Sequence, residues 1–367
     1  MKVLFVFGTR PEGIKMAPII KEIEKRNNIE SYTCVTGQHR EMLDQVLEIF
    51  DIKPDYDLNI FKNGQSLTDV TTKTLQGLEK ILDELKPDIL LVQGDTTTVF
   101  AAALAAFYKK IKIGHVEAGL RSGNLYSPYP EEANRKLTGV IANYHFAPTN
   151  SNKENLLREG YDEKNIFITG NTVIDALKYS VKEDFVFDDE ILNNLDYNKD
   201  VVLLTAHRRE NWGEPMENIF SSIRRVVLER ENLEVVFPIH LNPIVRNTAK
   251  KYFSDLDRVH MIEPLSYMPF SNLMSRVKFV VTDSGGVQEE APALGKPVLV
   301  LRNETERMEG VKAKTAKLVG TDSKNVYENI IKLLDDKKLY DQMAKAVNPY
   351  GDGHAATKIV DILEGMN

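Results

Sequence analysis

The sequence predicts an α/β protein built from two doubly wound, Rossmann-like domains. Short apolar runs rich in Val, Ile and Leu alternate with amphipathic helical patterns along most of the chain. The residues that follow nearly every apolar run are polar or glycine. This alternation is typical of parallel sheets covered by helices on both faces. A chain of 367 residues is also too long for one ordinary core, which favours two domains.

The predicted strands fall into two groups along the chain. The first group is VLFVF, SYTCVT, DILLVQGD, IKIGHVEAG and NYHFAPT, separated by helical stretches such as REMLDQVLEIF. After IFITGNTVIDAL the rhythm loosens through a polar stretch, 182–200, and restarts with VVLLTAH, EVVFPIH, RVHMIEP, KFVVTDSGG and PVLVLRN. We predict an N-terminal domain of 1–169 plus 354–367 and a C-terminal domain of 170–353. Because ligands bind beyond the carboxyl ends of such strands, we expect a central cleft between the two sheets.

Composition and charge exclude several classes of function. The formal net charge is −7, without long blocks of like charge, which argues against a nucleic-acid or membrane-surface role. No segment is apolar over the length of a bilayer, and the start MKVLFVFGTRPE has no small-residue cleavage site, so we expect a cytoplasmic protein. The single Cys34 is expected to be a buried strand residue. The seven histidines lack metal-ligand spacing, so we expect no metal site.

The stretch FGTRPEGIK near the start has the glycine spacing of a P-loop but lacks its chemistry. A P-loop requires Lys and then Ser or Thr directly after the second glycine, whereas this chain has Ile14, Lys15 and Met16. We therefore reject a P-loop. What remains is a strand that turns into a helix opened by Pro11, with Arg10 and Lys15 near its N-terminus. Such a helix terminus attracts anions.

The stretch VVTDSGGVQEEA predicts a second turn from strand to helix. Asp283 and Ser284 suit the N-cap, and Gly285 and Gly286 let a ligand approach the backbone closely. Glu290 falls on the second helical turn, where it could accept hydrogen bonds from ribose hydroxyls. A well-capped helix with a solvated glutamate explains the pattern equally well by itself. With the two cations of FGTRPEGIK supplied by the other domain, a diphosphate clamp becomes the better interpretation.

Three acidic residues follow predicted strands or lie in the next loop: Asp95 in QGDTTT, Glu117 in HVEAGLRSG and Glu131 in SPYPEEANR. Asp95 could cap the next helix, and Glu131 could interact with a helix dipole after Pro130. Glu117 has no evident capping role. Carboxylates that converge on a cleft can transfer protons or stabilise positive charge. The pattern therefore favours an acid–base site.

Two histidines follow strands of the second group. His207, in LLTAHRREN, is flanked by Arg208 and Arg209 and could donate to a leaving phosphate. The same cations could instead form salt bridges between domains. His240, in FPIHLNP, fits a satisfied loop histidine equally well. We expect Trp212 to serve in packing.

The motifs FGTRPEGIK, QGDTTT, HVEAGLRS, YSPYPEEANR, TAHRREN, HLNP, TDSGGVQEEAPALGKPVLVLR and TER carry a specific resemblance. Almost end to end, the chain resembles the non-hydrolysing UDP-N-acetylglucosamine 2-epimerases. That family has the glycosyltransferase-B architecture and usually forms homodimers. The resemblance implies interconversion of UDP-GlcNAc and UDP-ManNAc without a cofactor, by elimination of UDP to 2-acetamidoglucal and re-addition, supplying ManNAc for cell-surface polysaccharide.

The resemblance also implies roles for individual residues. Asp95, Glu117 and Glu131 would line the sugar, one removing the C2 proton and the others supporting positive charge; which one is the base stays open. His207 would assist the departure and return of UDP. The residues implied to bind UDP are Arg10, Lys15, Leu265, Phe270, Ser284, Gly285, Gly286, Glu290 and Arg307.

Bacterial relatives often bind a second UDP-GlcNAc as an activator beside the active site. The positions that match this activator site are Gln38, Gln65, Glu131, Arg208 and His240. The chain departs from the family pattern at Gly13 for Ala, Gly64 for Arg, Met308 for Pro and Lys314 for Gly.

Three other functions remain as alternatives. A hydrolysing epimerase would release free ManNAc and UDP, because water intercepts the intermediate. A UDP-sugar glycosyltransferase would need an acceptor groove, and a non-catalytic UDP-sugar sensor would need no acid–base residues. The three carboxylates argue against a glycosyltransferase, and together with His207 they argue against a sensor. The reversible epimerase is the leading hypothesis.

Overall fold

The computed structural model describes residues 1–366 as two compact units. Unit 1 comprises Met1–Tyr179 and the chain from Tyr350 onward, and unit 2 comprises Ser180–Pro349. The strands are β1 (Lys2–Phe7), β2 (Glu30–Val35), β3 (Tyr56–Asp57), β4 (Ile89–Gln93), β5 (Lys112–Val116), β6 (Tyr144–Ala147), β7 (Ile166–Ile168), β8 (Asp200–Thr205), β9 (Leu233–Pro238), β10 (Val259–Ile262), β11 (Phe279–Thr282), β12 (Val298–Val300) and β13 (Ala316–Leu318).

Helices connect these strands throughout both units. They are α1 (Arg10–Ile23), α2 (Arg40–Ile49), α3 (Leu67–Leu85), α4 (Thr97–Tyr108), α5 (Glu131–Ile141), α6 (Asn150–Arg158), α7 (Thr172–Ser180), α8 (Glu190–Asn194), α9 (Glu214–Glu229), α10 (Pro243–Phe253), α11 (Tyr267–Arg276), α12 (Gly285–Ala293), α13 (Met308–Lys312), α14 (Ser323–Asp335), α15 (Lys337–Ala344) and α16 (Ala355–Glu364). Short 3₁₀ turns form at Glu163–Asn165 and Arg209–Asn211.

Each unit contains one parallel sheet. In unit 1 the strand order is β3-β2-β1-β4-β5-β6-β7, and in unit 2 it is β10-β9-β8-β11-β12-β13. Strand pairing is parallel on both sides of β1 and on both sides of β8. The predicted fold class, two doubly wound α/β domains, is therefore confirmed.

Strand order reverses at one place in each sheet. In unit 1 the reversal lies between β1 and β4, and in unit 2 between β8 and β11. Where order reverses, the connections leave on opposite faces of the sheet and open a crevice at the carboxyl ends of the two strands. The loops after these four strands, and the helices that follow them, carry several candidate residues, namely Arg10, Lys15, Asp95, His207, Arg208, Ser284, Gly285, Gly286 and Glu290.

The apolar runs form strands because helices on both faces remove them from water. Val3 and Phe7, at the two ends of the first apolar run, are both 0% exposed. Cys34 in β2 is also fully buried, and this burial raises the pKa of its thiol to about 12. The prediction of a buried strand cysteine is therefore confirmed.

The boundary between the units differs from the sequence prediction, which placed it at 169/170 and 353/354. Helix α7 stays with unit 1 because the returning chain is bonded to it and to the turn before it. The Asn171 N–H donates to the Tyr350 carbonyl at 2.7 Å. The buried Asp175 carboxylate accepts from the N–H groups of Ala355 and Ala356, at the start of α16. These bonds fix 170–179 and 350–353 in unit 1.

Helix α16 also packs on α1 within unit 1. Arg26, just beyond the end of α1, pairs with Asp361 at 2.9 Å and with Glu364 at 3.4 Å. Burial raises the pKa of Asp175 at the other end of α16, although the Ala355 and Ala356 amides oppose that shift. Within residues 1–366, the helices are either too short or too polar to cross a bilayer.

Candidate active site

The loops after β1 and β4 are joined by a buried carboxylate, that of Glu12. Its Oε2 accepts from the backbone N–H groups of Gly8 at 2.7 Å and Thr9 at 2.8 Å. Its Oε1 accepts from the Thr96 hydroxyl, and Thr96 is the N-cap of α4. Burial raises the pKa of Glu12, against these hydrogen bonds, which lower it. Glu12 therefore fixes the two loops at the point where strand order reverses, rather than contributing charge to a phosphate site.

Glu117 lies directly after β5 and is held by a cation. Lys15 Nζ, on α1, lies 2.6 Å from Glu117 Oε2, and Gln93 at the end of β4 donates to the same oxygen. Asn171 Nδ2 donates to Oε1 at 3.4 Å. The backbone of Glu117 has φ +64°, a left-handed conformation that a residue other than glycine rarely adopts. Strain of this kind, of order 1–3 kcal/mol, is concentrated at functional sites.

Asp95 follows β4 and is held by residues of α5. Arg135 Nη2 lies 2.6 Å from Asp95 Oδ2, and Nε donates to that oxygen at 2.9 Å. Asn134 Nδ2 donates to the Asp95 carbonyl at 2.9 Å. Thr96, not Asp95, is the N-cap of α4. The interpretation of Asp95 as the cap of α4 was therefore wrong. Its carboxylate binds Arg135 instead.

Glu132 anchors Arg135 from the opposite side. It is 0% exposed, and its carboxylate accepts from Arg135 Nη1 at 3.0 Å. It also accepts from the backbone N–H groups of Ser122 and Gly123. The chain Glu132–Arg135–Asp95 thus links the loop after β5 to the loop after β4. Sequence reasoning missed Arg135 and singled out Glu131, although the sequence YPEEANR contains both.

A cavity of about 360 Å³ opens beside these loops within unit 1. Its polar lining includes four of the predicted site residues, namely Arg10, Gln38, Asp95 and Glu131. The Oε2 atom of Glu131 is buried and has no hydrogen-bond partner among the described residues. A buried carboxylate oxygen without a partner is costly, so this atom is suited to accept a hydrogen bond or a proton from a ligand.

Gln38 and Gln65, both matched to the activator site, contact each other. Gln65 Nε2 donates to the Gln38 carbonyl at 3.4 Å, and Gln38 Oε1 accepts from the Thr98 hydroxyl at 2.8 Å. Gly64, before Gln65, has φ +71°, and a side chain there would meet no atom within 4 Å. The activator role of these residues stays a prediction.

Two histidines are buried in strands β5 and β6 of unit 1. Burial lowers the pKa of His115 to about 4, although its 2.7 Å contact with the Gly94 carbonyl opposes the shift. Burial likewise lowers the pKa of His145 to about 4, with a smaller contribution from His115. His145 packs against Tyr161 at 4.8 Å between ring centroids. Both imidazoles are therefore neutral supports of the fold near pH 7.

In unit 2 the loops after β8 and β11 are joined by Asp283, which is 0% exposed. Its Oδ2 accepts from the backbone N–H groups of His207 and Arg208, each at 2.8 Å, and from Asn211 Nδ2 at 3.1 Å. His207 Nδ1 lies 3.1 Å from Oδ1. Burial would raise the pKa of Asp283, but the bonds from His207 and Arg208 lower it overall. Of the two residues expected to suit the N-cap of α12, Ser284 occupies that position and Asp283 precedes it.

The two candidate histidines of unit 2 lie against each other. The rings of His207 and His240 stack with centroids 5.7 Å apart and an interplanar angle of 14°. His240 Nδ1 accepts from the Asn242 N–H at 3.1 Å. The His207 side chain is 37% exposed, so its ring remains accessible. The expected packing role of Trp212 is confirmed, since it lies against the core of unit 2.

Arg307 lies over the N-terminus of α12. A Cβ added to Gly285 would come within 2.8 Å of the Arg307 guanidinium carbon. Arg307 Nε donates to Glu289 Oε1 at 2.7 Å, and Arg307 N donates to the Thr305 hydroxyl at 3.2 Å. A helix N-terminus with a fixed guanidinium above it favours a phosphate group.

The segment around Arg307 is held by further ion pairs. Arg302 Nε donates to Glu210 Oε1 at 2.7 Å, and its Nη1 donates to Glu306 Oε2 at 3.1 Å. Lys314, at the end of this segment, has φ +64°. That conformation suits the glycine that the family pattern carries at this position. The departures at Met308 and Lys314 therefore leave Arg307 in place above α12.

The residues expected to bind the nucleoside are all in unit 2. Phe270 lies on α11 and is half-buried, as are Leu265 before it and Glu290 on α12. The Tyr267 hydroxyl is buried without a hydrogen-bond partner among the described residues. Burial raises the pKa of Tyr267 well above its usual value, and the charge of Glu290 adds to the shift. The nucleoside contacts themselves stay predictions.

The predicted residues thus fall into two sets. The sugar carboxylates, Arg10, Lys15, Gln38 and Gln65 belong to unit 1, and His207, Arg208, His240, Arg307 and the α12 turn belong to unit 2. Among residues 1–366, His, Cys, Asp and Glu side chains form no group of three or more suited to hold a metal ion. The chemistry available is acid–base catalysis beside carboxylates in unit 1 and anion binding in unit 2.

Comparison with known proteins agrees with this chemistry. The family model described as UDP-N-acetylglucosamine 2-epimerase matches residues 21–364. The chain is 57% identical over 363 residues to the UDP-N-acetylglucosamine 2-epimerase of Bacillus subtilis (strain 168), covering 99% of this chain and 95% of the relative.

Two solved structures are also similar over the whole chain. UDP-GlcNAc 2-epimerase from Neisseria meningitidis bound to UDP-GlcNAc matches with a TM-score of 0.89 at 52% identity, covering 100% of both chains. The enzyme of Methanocaldococcus jannaschii in complex with UDP-GlcNAc and UDP matches with a TM-score of 0.78 at 36% identity, again covering 100% of both. The chain therefore belongs to the UDP-N-acetylglucosamine 2-epimerase family.

Proposed function

We propose that the protein interconverts UDP-GlcNAc and UDP-ManNAc by inverting C2, without releasing free ManNAc. Family membership supports the substrate and the reaction class. The observation that carries the mechanism is the contrast among the three carboxylates of unit 1. Asp95 and Glu117 are each held by a cation, whereas Glu131 has a buried oxygen, Oε2, without a hydrogen-bond partner among the described residues.

The proposed reaction is an elimination followed by an addition. A carboxylate takes the proton from C2, the C2–H electron pair becomes the C1=C2 double bond, and UDP leaves with the C1–O electron pair. The intermediate is 2-acetamidoglucal. UDP then adds back to C1 while a proton is delivered to the opposite face of C2, so no electrons are gained or lost. Because C2–H is a poor acid, the elimination needs both a base and a stabilised leaving group.

Glu131 is our candidate for the base in the direction from UDP-GlcNAc. A carboxylate oxygen that already accepts a hydrogen bond from a cation is occupied by that cation. That condition applies to Asp95 beside Arg135 and to Glu117 beside Lys15. Glu131 lines the cavity together with Asp95, and its buried Oε2 has no hydrogen-bond partner among residues 1–366. Asp95 and Glu117 would then stabilise the positive charge that develops at C1 as the C1–O bond breaks.

Lys15 acts on the sugar side of this mechanism as well as on the phosphates. Its 2.6 Å contact with Glu117 orients the carboxylate. Arg10 lines the cavity with Glu131 and supplies a second cation to the diphosphate. Both residues therefore favour departure of UDP, one directly and one also through Glu117.

Unit 2 binds the UDP portion in this proposal. The N-terminus of α12, with Ser284, Gly285 and Gly286, would receive the diphosphate beneath Arg307. Glu290 would accept from the ribose hydroxyls, and Leu265 and Phe270 would frame the uracil. His207 would donate a hydrogen bond or proton to the β-phosphate as UDP leaves.

We further propose that the protein works as a homodimer in the cytoplasm and supplies UDP-ManNAc for cell-surface polysaccharide. A second UDP-GlcNAc would act as activator through Gln38, Gln65, Glu131, Arg208 and His240. The contact of Gln65 with Gln38, and the cavity that Gln38 and Glu131 share, support this site. Activation predicts a sigmoidal dependence of the UDP-ManNAc epimerisation rate on added UDP-GlcNAc.

Identification of products by proton NMR tests the proposed function. The purified protein is incubated with UDP-GlcNAc in ordinary water, and the sugar signals are followed over time. Growth of UDP-ManNAc to a constant ratio with UDP-GlcNAc supports the reversible epimerase. Accumulation of free ManNAc and UDP would assign the hydrolysing reaction instead, and unchanged UDP-GlcNAc would overturn both assignments.

A further inference from the structure

The ring of His207 lies against the carboxylate of Asp283. The two oxygens of that carboxylate have different hydrogen-bond partners. Oδ2 of Asp283 accepts two backbone N–H groups and the amide of Asn211. Oδ1 has no hydrogen-bond partner of that kind among the described residues, and His207 Nδ1 lies 3.1 Å from it. Oδ1 is therefore available to accept a hydrogen bond from His207 Nδ1.

We propose that Asp283 is the positioning residue of His207, holding the proton on Nδ1 so that Nε2 is the nitrogen that exchanges a proton with departing and returning UDP. The inference rests on the proposed function and goes beyond it, since it names the residue through which His207 acts. The hydrogen bond made by one imidazole nitrogen decides which nitrogen of a neutral histidine carries the proton. An ionised carboxylate can only accept, so Nδ1 has to be the donor.

The surroundings of Asp283 hold its carboxylate in place beside His207. It is fully buried, and its N–H donors are fixed by the backbone of the loop after β8. Arg208 Nε also donates to the Asp283 carbonyl at 3.3 Å. The carboxylate can therefore stabilise the imidazolium, which gives its Nε2 proton to departing UDP and so becomes the neutral Nδ1–H ring. When UDP returns to C1, it gives that proton back to Nε2 and the imidazolium forms again; a third group supports a general base in the same way elsewhere.

Asp283 also connects the loop that carries His207 to the start of α12, where we place the diphosphate. It immediately precedes Ser284, the N-cap of α12, and it binds the loop that carries His207. His240 stacks on the His207 ring at 5.7 Å and limits rotation of the ring plane. One side chain thus fixes the tautomer of His207 and its place beside the helix N-terminus where we place the diphosphate.

The first test reads the tautomer directly and needs no Asp283 variant. Protein labelled with ¹⁵N-histidine is studied by NMR through the long-range couplings of the ring nitrogens to ring protons, and a His207→Gln variant assigns the His207 signals. We expect neutral His207 to carry its proton on Nδ1. An unprotonated Nδ1 in the neutral ring would overturn the proposal. This outcome is decided whether or not the protein epimerises UDP-GlcNAc, so it is separate from the proposed function.

The second test separates positioning from folding. In Asp283→Asn, one amide oxygen can still accept the loop N–H groups, but the amide NH₂ would donate to Nδ1 and favour the wrong tautomer. We expect kcat to fall on the order of 10²-fold, the KM for UDP-GlcNAc to stay within about threefold, and the Nδ1–H signature of His207 to disappear. Asp322→Asn, which changes a helix cap of α14, is the matched control and should keep all three properties.

Two results of the second test would contradict the proposal. One is an Asp283→Asn variant with the kcat of the original protein. The other is a variant whose loss lies in KM or in thermal stability while His207 keeps its Nδ1–H tautomer, because this is what a purely structural Asp283 would give.

Discussion

Arg135 binds one oxygen of Asp95 through two guanidinium nitrogens, Nη2 at 2.6 Å and Nε at 2.9 Å. The third nitrogen, Nη1, is bound to the fully buried Glu132 at 3.0 Å. Asp95 is therefore fixed in direction by a residue that does not itself line the cavity beside it. The position of this candidate catalytic carboxylate depends on a guanidinium behind it.

Replacing Arg135 tests this dependence. Arg135→Met keeps much of the side-chain volume but removes the cation, so Asp95 and buried Glu132 lose their shared partner. We expect kcat to fall on the order of 10²-fold, with some loss of thermal stability. Arg26→Met, which removes an ion pair between α1 and α16, is the control for stability and should keep kcat. A fully active Arg135→Met enzyme would show that Asp95 needs no such support.

Glu131→Gln tests the assignment of the base. The amide keeps the shape of the side chain but cannot take the C2 proton, so we expect the incorporation of solvent deuterium at C2 of UDP-GlcNAc to slow by on the order of 10² or more. Deuterium incorporation is measured by proton NMR in D₂O. The exposed Glu154 provides the matched control, Glu154→Gln. Near-normal exchange in Glu131→Gln, together with its loss in Glu117→Gln, would transfer the role of base to Glu117.

Arg307→Met tests the diphosphate site on α12. Hydrogen bonds to charged groups contribute about 1.5–3 kcal/mol, so we expect UDP to bind roughly 10- to 100-fold more weakly. Isothermal titration calorimetry with UDP measures this change. Arg224→Met, which breaks an exposed pair with Asp255, should bind UDP normally. If Arg307→Met binds UDP as tightly as the original protein, Arg307 is not a phosphate ligand.

The buried histidines of unit 1 predict loss of stability in acid. The pKa values of His115 and His145 are lowered from 6.5 to about 4 in the folded chain. As pH falls below 6.5, the unfolded chain binds protons that the folded chain cannot, so stability decreases until pH approaches 4. Between pH 7.5 and 5 each histidine should account for roughly 2 kcal/mol of that loss.

His145→Gln isolates one of these contributions. The variant cannot bind that proton, so its urea midpoint should change less than that of the original protein between pH 7.5 and pH 5. Any cost of the substitution itself appears at both pH values and cancels in the difference. Equal changes in the two proteins would mean that His145 titrates normally in the folded state.

Most strands could be predicted from the sequence because their apolar runs are buried on both faces and therefore continuous. The exceptions are β3, β7 and β13, with two, three and three residues, which give too short a pattern to recognise. The unit boundary was misplaced because α7 reads as an ordinary helix. Its attachment depends on Asp175 and the start of α16, which are 180 residues apart in the chain.

The candidate residues could be found from motifs, but their partners could not. Lys15 pairs with Glu117 across 102 residues, and His207 pairs with Asp283 across 76. Residues so far apart along the chain form no local sequence pattern that would reveal the pair. In YPEEANR, sequence alone does not reveal that Glu132 is buried as an anchor while Glu131 lines the cavity. Helix phase and tertiary packing decide between neighbours of identical chemistry.

The central claim is that C2 of the sugar loses and regains its proton while UDP departs and returns. Proton NMR of the protein with UDP-GlcNAc in D₂O measures this directly. The account predicts UDP-ManNAc together with deuterium at C2 of both UDP-sugars, and no net release of UDP at equilibrium. Formation of UDP-ManNAc that retains the original C2 proton would contradict the elimination mechanism, and free ManNAc with UDP would contradict its reversibility.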